Sequence, residues 1–219
     1  MFDIIYDNYI MPMRMKYNSI ASQKSVNDTV SALQAKGIDV HAVETEAEAL
    51  EIIKQTIPKG ASVMHGSSTT LQQIGYMQYL ETGTHGWNDL HTVITKENDP
   101  AKRAALRNQS VSSDYYLGSV HALTERGEFL IASNTGSQLP HIAFTSPNLI
   151  FVVGTQKIVP SLMDGMRRLE EYVMPLENVR STKAYGVNSA INKILIVKGE
   201  NQMLKRRIHF VLVNKPLGY

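Results

Sequence analysis

The stretch Asn148-Leu149-Ile150-Phe151-Val152-Val153, running on into Gly154-Thr155-Gln156-Lys157, decides the fold. Its first part is short and almost wholly apolar, the pattern of a strand covered on both faces and not of one with a wet side. Such a strand belongs inside a layered α/β domain, and the chain on either side supplies the other layers. Downstream, residues 161–173 read as a helix, and 193–198 and 208–213 as two last strands. Upstream, 115–123 and 129–132 read as strands around a turn at Glu125-Arg126-Gly127.

Further out, the same alternation continues. Residues 18–36 place Ile20, Val26, Val30 and Leu33 near one helical face, and Gly37 suits the stop. Ile38, Val40, Ala42 and Val43 suggest a strand. Thr45 followed three residues later by Glu48 is a capping box, opening a helix that buries Ala49, Leu50, Ile52 and Ile53 and ends at Pro58-Lys59-Gly60. A strand over 61–65 precedes the run Gly66-Ser67-Ser68-Thr69-Thr70 and a helix carrying Leu71, Ile74, Met77 and Leu80. Residues 89–95 look like a strand, and Asp99-Pro100 starts another helix, cap residue first and proline at the first helical position. The expected fold class is α/β, with a largely parallel sheet and helices on both faces. Ligands in such sheets sit beyond the carboxyl ends of the strands.

The chain has 219 residues, 43% hydrophobic and 19% charged, and no cysteine. The length suits a single domain able to bury a full core. Lack of cysteine excludes a thiol nucleophile, a thiolate-ligated zinc or iron–sulfur site and any disulfide framework. A net charge of +2 gives no concentrated basic face for nucleic acid. No segment reaches the length of a membrane span, and the N-terminal residues carry Asp3 and Asp7 in place of the basic start of a signal peptide. A cytoplasmic location is expected. Residues 1–17 read as an N-terminal arm and 18–219 as one domain; Met1, Met11, Met13 and Met15 leave the true start open.

Four local features carry candidate chemistry. Gly66, Ser67, Ser68, Thr69 and Thr70 lie between a strand and a helix, where glycine allows close backbone approach and hydroxyls and free N–H groups attract an anion. The same residues also make an ordinary capped loop, with Ser68 or Thr69 as N-cap. They lack the lysine of a Walker loop and the spacing of a dinucleotide fingerprint. Ser119 and Glu125 border the segment around His121; Glu125, ahead of a tight turn, is a candidate nucleophile or base, or a solvated hairpin residue. Asn134, Thr135, Gly136, Ser137 and Gln138 form a second polar loop leading to a helix. Lys157 follows the most apolar strand and could place a cation near the same crevice, or be a solvated loop residue. The seven histidines show no metal spacing, and His65 and His121 read as structural residues or proton carriers. Lys205-Arg206-Arg207 and Arg167-Arg168 read as a solvated turn and a solvated helix face.

Taken in order, Gly66-Ser67-Ser68-Thr69-Thr70-Leu71, Ser119-x-His121-Ala122-x-Thr124-Glu125-x-Gly127, Thr135-Gly136-Ser137-Gln138 and the segment 153–159 around Gly154-Thr155-Gln156-Lys157 resemble the LUD domain, the family of lactate-utilisation protein C. Arg167-Arg168, Pro175-Leu176-Glu177, Ala184-Tyr185-Gly186, Asn192-Lys193 and Leu217-Gly218-Tyr219 extend the resemblance from about residue 18 to the last residue. It implies a Rossmann-like three-layer fold of the sugar-isomerase and CoA-transferase type. It also implies a subunit or accessory role in oxidation of lactate or another organic acid, beside iron–sulfur partner proteins. A small anionic metabolite and further copies of the chain are the other expected partners; no cofactor is specified. Some members carry a cysteine-containing segment near the C-terminus, whereas residues 185–193 here contain none. The alternative is a stand-alone enzyme, acyl-CoA transferase-like or sugar-phosphate isomerase-like, using Glu125.

Overall fold

In a computed structural model, which describes residues 16–219, ten strands form two sheets. The strands are β1 (Asp39–Val43), β2 (Ser62–His65), β3 (Asn88–Asp89), β4 (Tyr115–Gly118), β5 (Ala122–Thr124), β6 (Phe129–Ser133), β7 (Asn148–Gly154), β8 (Ile158–Val159), β9 (Lys193–Val197) and β10 (Arg207–Val213). The helices are α1 (Gln23–Gln34), α2 (Glu46–Thr56), α3 (Thr69–Gln73), α4 (Tyr76–Glu81), α5 (Leu90–Lys96), α6 (Pro100–Gln109), α7 (Leu162–Arg168) and α8 (Met174–Tyr185). The larger sheet is six-stranded and parallel throughout, in the order β1-β10-β7-β4-β2-β3. The smaller has the order β8-β5-β6-β9 and is mixed.

Strand β7 lies inside the larger sheet, between β10 and β4, buried from Leu149 to Gly154 as its apolar run dictates. Alternation sends its residues to two different cores. Leu149, Phe151 and Val153 join Phe129, Phe210 and Leu33 on the side of the smaller sheet and α1. Phe129, Phe151 and Phe210 meet there with ring centroids 5.2–5.3 Å apart. Ile150 and Val152 face Ala49 and Ile53 of α2 and Leu71 of α3. A third core joins Ala122 and Leu130 of the smaller sheet to Leu169, Tyr172 and Val173. The six-stranded sheet therefore has helices on one face and, on the other, a third layer made of the smaller sheet and α1, against which α7 packs from outside. This is a Rossmann-like three-layer arrangement whose second face is covered by a sheet and α1, not by helices alone.

Several local expectations are corrected. Residues 89–95 are helical after Asp89, although β-branched, because the Asp89 carboxylate accepts the Thr92 N–H at 3.1 Å and caps α5. The span 115–123 is broken after Gly118, and its two halves belong to different sheets. Gly75, at φ +79, splits the helix carrying Leu71 and Leu80 into α3 and α4. The helix after 161 does not end near Val173. It widens into a π-turn at Leu169–Val173 and continues as α8, with the wider turn absorbing Pro175, which has no N–H to give. The segment after Gln138 forms a π-turn, His141–Thr145. The capping box holds as read: Thr45 Oγ1 accepts from Glu48 N–H at 3.2 Å, and Glu48 accepts from Thr45 N–H at 2.9 Å. Tyr17, at the end of the expected arm, donates to Glu171 at 2.7 Å; residues 1–15 of that arm lie outside the described residues.

Candidate functional site

Four adjacent parallel strands, β10, β7, β4 and β2, deliver their C-terminal extensions to one edge of the larger sheet. After β2 comes Thr70, after β4 Ser119, after β7 Lys157, and after β10 the segment 217–219. These four extensions meet. Lys157 is buried, and its ammonium nitrogen donates to Thr70 Oγ1 at 3.0 Å and to Ser119 Oγ at 3.1 Å. Gln156 Nε2 donates to the Leu217 carbonyl at 2.8 Å, and Gly218 N–H donates to Gln73 Oε1 at 2.6 Å. Gly218 must be glycine: its φ is +62, and a Cβ would collide with Thr70 Oγ1 and stand 3.1 Å from Lys157 Nζ.

Arg168 brings a second cation. It lies at the C-terminal end of α7, is fully buried, and donates from Nη1 to the His121 carbonyl at 2.5 Å. Among the described residues its Nε and Nη2, the fork that faces a carboxylate or phosphate in bidentate pairing, have no hydrogen-bond partner, while the guanidinium lies over the Tyr172 ring, 5.1 Å from its centroid. Thr155 Oγ1 and Gln156 Oε1, in the turn just before Lys157, are likewise buried without a hydrogen-bond partner among the described residues. Among the described residues, neither Lys157 nor Arg168 forms an ion pair. Glu177 is committed elsewhere, to Arg180 at 2.6 Å and the Tyr219 hydroxyl at 2.7 Å.

The electrostatics follow from this crowding of like charge. Burial, and then Arg168, hold the Lys157 amine well below its usual value. Burial lowers Arg168 to about 10, a value at which it keeps its proton at neutral pH. His121 is pushed down to about 3 by burial first and then by Lys157 and Arg168. Its Nδ1 accepts the Ala132 N–H at 3.1 Å, so the neutral ring carries its proton on Nε2.

A family model for the LUD domain matches residues 26–213. The chain belongs to the LUD domain family. Among solved structures, this LUD domain is similar to the crystal structure of a DUF162 family protein from Deinococcus radiodurans. The two share 11% sequence identity with a TM-score of 0.56, over 89% of this chain and 99% of that one. At that identity the likeness concerns the fold. No curated protein matches.

Of the residues singled out from the LUD domain's sequence, Thr70, Ser119 and Lys157 come together. Thr69 meets the Tyr219 hydroxyl. Ser68 is the N-cap of α3, accepting the Leu71 N–H at 3.2 Å, and α3 is only five residues long, so this loop offers no helix-end anion site of its own. Gly66 sits beneath the Tyr116 hydroxyl, and Ser67 is exposed. The second polar loop bonds to itself and to its neighbours: Ser133 to Gln138 at 2.9 Å, Thr135 to Ser137 at 3.2 Å, and Asn192 to Asn134 at 2.7 Å. Lys193 packs against Gly136. Glu125 lies past the far end of β5 from Ser119, where its carboxylate accepts from Ser25 of α1 at 2.6 Å.

Arg168 was not expected there. Read as a solvated helix face, it is instead interior, while Arg167 is exposed. The spacing Gly165, Arg168, Tyr172 is that of one helical stripe, and that stripe faces the smaller sheet. Arg206, read as part of a solvated turn, is also buried; it pairs with Glu200 at 2.5 Å and donates to the carbonyls of His141 and Ile142 at 2.9 and 3.0 Å, closing the π-turn there. His65 is buried and stacked on His91 at 4.1 Å, a structural position. Among the described residues no cluster of histidine and carboxylate groups is placed to hold a metal, and no helix is long and apolar enough to cross a membrane.

Proposed function

We propose that this LUD-domain chain is a subunit or accessory protein of lactate or organic-acid utilisation, and that its crevice binds a small carboxylate or phosphate. Family membership supports a role related to lactate utilisation. The observation that carries the binding site is the burial of two basic side chains, Lys157 and Arg168, without an ion-pair partner among the described residues. A buried ion without compensation costs several kcal/mol. Lysine can escape by losing its proton, but arginine cannot. A guanidinium held by the His121 carbonyl and lying over the Tyr172 ring, whose Nε and Nη2 have no hydrogen-bond partner among the described residues, suits an oxyanion brought in from outside. Thr70 and Ser119 set two hydroxyls against the neighbouring amine, and the 217–219 segment packs beside them.

Isothermal titration with lactate, pyruvate, a sugar phosphate and an acyl-CoA tests this. Binding of one of them is expected, weakened at least about tenfold in Arg168→Met through loss of charge-assisted hydrogen bonds of about 1.5–3 kcal/mol each. Flat titrations with all four would overturn it. Electron transfer, if the pathway includes it, falls to a partner or a bound cofactor, since the chain has no cysteine; co-purification with iron–sulfur proteins is the corresponding expectation. The stand-alone enzyme using Glu125 has weaker support, because that carboxylate is engaged by Ser25 away from Lys157.

A further inference from the structure

We propose that Lys157 is a nucleophile that forms an imine with the carbonyl of a small 2-oxo acid whose carboxylate is held by Arg168. This rests on the anion site argued above and assigns it a substrate class and a covalent step.

Thr70 Oγ1 donates its proton to the Leu217 carbonyl at 3.3 Å, and Ser119 Oγ donates to the Val120 carbonyl at 3.4 Å. Lys157 donates two N–H bonds, one to each hydroxyl. A neutral amine has two such protons and one lone pair. Both protons are thus used and the lone pair is left over, the state required of a nucleophile. A charged ammonium would instead carry a third N–H in a buried setting, beside a second cation. Burial and Arg168 favour the neutral form, as with other catalytic lysines that act through Schiff bases.

The Gly218 backbone packs against Thr70 and the amine, so that a Cβ there would collide with Thr70 Oγ1 and come 3.1 Å from Nζ. Arg168 is anchored on the carbonyl of His121, two residues from Ser119, and on the Tyr172 ring, with its Nε and Nη2 undonated among the described residues. A carbonyl next to a carboxylate is the simplest electrophile that uses both groups. Simple aldehydes would leave the guanidinium unpaired, and 2-hydroxy acids have no carbonyl to attack.

The step balances without an added reagent. The Nζ lone pair adds to the carbonyl carbon while one Nζ proton passes to the carbonyl oxygen, giving a carbinolamine. The hydroxyl then leaves with the second Nζ proton as water, so that C=N replaces C=O with no change of oxidation state. Ser119 and Thr70, already bonded to Nζ, are positioned to relay these protons.

The full-length protein incubated with pyruvate or glyoxylate and sodium cyanoborohydride, then measured by intact mass and peptide mapping, tests the proposal. One reduced adduct on Lys157 is expected, lost in Lys157→Arg and slowed in Ser119→Ala, whose fold is checked by circular dichroism. Adduct spread equally over surface lysines, and unchanged by Lys157→Arg, would overturn it. Calorimetry with pyruvate and lactate runs alongside. Binding of both without adduct on Lys157 refutes the imine but leaves the anion site standing. Absence of both binding and adduct refutes the anion site as well.

Discussion

Replacing Lys157 with methionine is expected to make the ligand-free protein more stable. Methionine has nearly the same length and shape, and Lys157 is only 2% exposed, so the cavity stays filled. What is lost is two hydrogen bonds, to Thr70 and Ser119, worth about 1 kcal/mol each. What is gained is relief from holding an amine in the interior beside Arg168, a cost of several kcal/mol whether met as desolvation or as loss of the proton. The balance is a gain of about 2 kcal/mol, or roughly 4–8 °C in melting temperature for a chain of this size. The gain should depend on pH in a definite direction. Burial holds the folded-state value of Lys157 well below its ordinary 10.5. As the pH falls below 10.5, the unfolded chain takes up a proton that the folded one refuses, so wild-type stability rises with pH toward that value. The advantage of Lys157→Met over wild type should therefore shrink between about pH 7 and about pH 9.5. Calorimetric melting of both proteins at the two pH values is the assay. A methionine variant that melts several degrees lower, or a difference that ignores pH, would mean that Lys157 is a stabilising residue and would refute the reasoning.

Other outcomes follow from the same geometry. Gly218→Ala forces a side chain into Thr70 Oγ1 at a left-handed backbone position, and should lower stability by about 1–3 kcal/mol in denaturant titration; an unchanged midpoint would mean the 217–219 segment does not rest on Lys157. Thr45→Ala removes one half of the capping box and should cost about 1 kcal/mol without touching ligand binding, read by the same titration and by calorimetry. Burial holds both His65 and His141 down to about 4, against an ordinary 6.5. The unfolded chain protonates first, so each adds stability above pH 6.5 that drains away at up to about 1.4 kcal/mol per pH unit as the pH falls toward 4. Acid melting curves of His65→Gln should show a shallower slope than wild type; an identical slope would rule His65 out.

The residues that announce themselves in the sequence are those whose partners are close along the chain or whose whole environment is uniform. The apolar run 148–153 marks a doubly covered strand because every side chain in it has to be dry. Thr45 and Glu48 mark a helix start because they satisfy each other across three residues. Residues 89–95 mislead because β-branched character points to a strand, while a single carboxylate, Asp89, supplies the capping that makes the segment helical. The break after Gly118 is invisible for a similar reason: the segments on either side are both apolar, and only tertiary pairing assigns them to different sheets. In the crevice, the loops rich in glycine and hydroxyls are conspicuous, yet the charges come from Lys157 and Arg168. Each looks like a surface residue because its burial is imposed by distant segments, the 217–219 turn over Lys157 and the smaller sheet under Arg168. Helical spacing alone, Gly165 to Arg168 to Tyr172, carried a hint that Arg168 lies on the buried stripe.

A crystal structure of the full chain soaked with lactate or pyruvate tests the anion site most directly. The expected result is the carboxylate of the ligand in bidentate contact with Nε and Nη2 of Arg168, with its other end toward Lys157. A crevice left unoccupied at saturating ligand, or a ligand bound only at another surface, would contradict it.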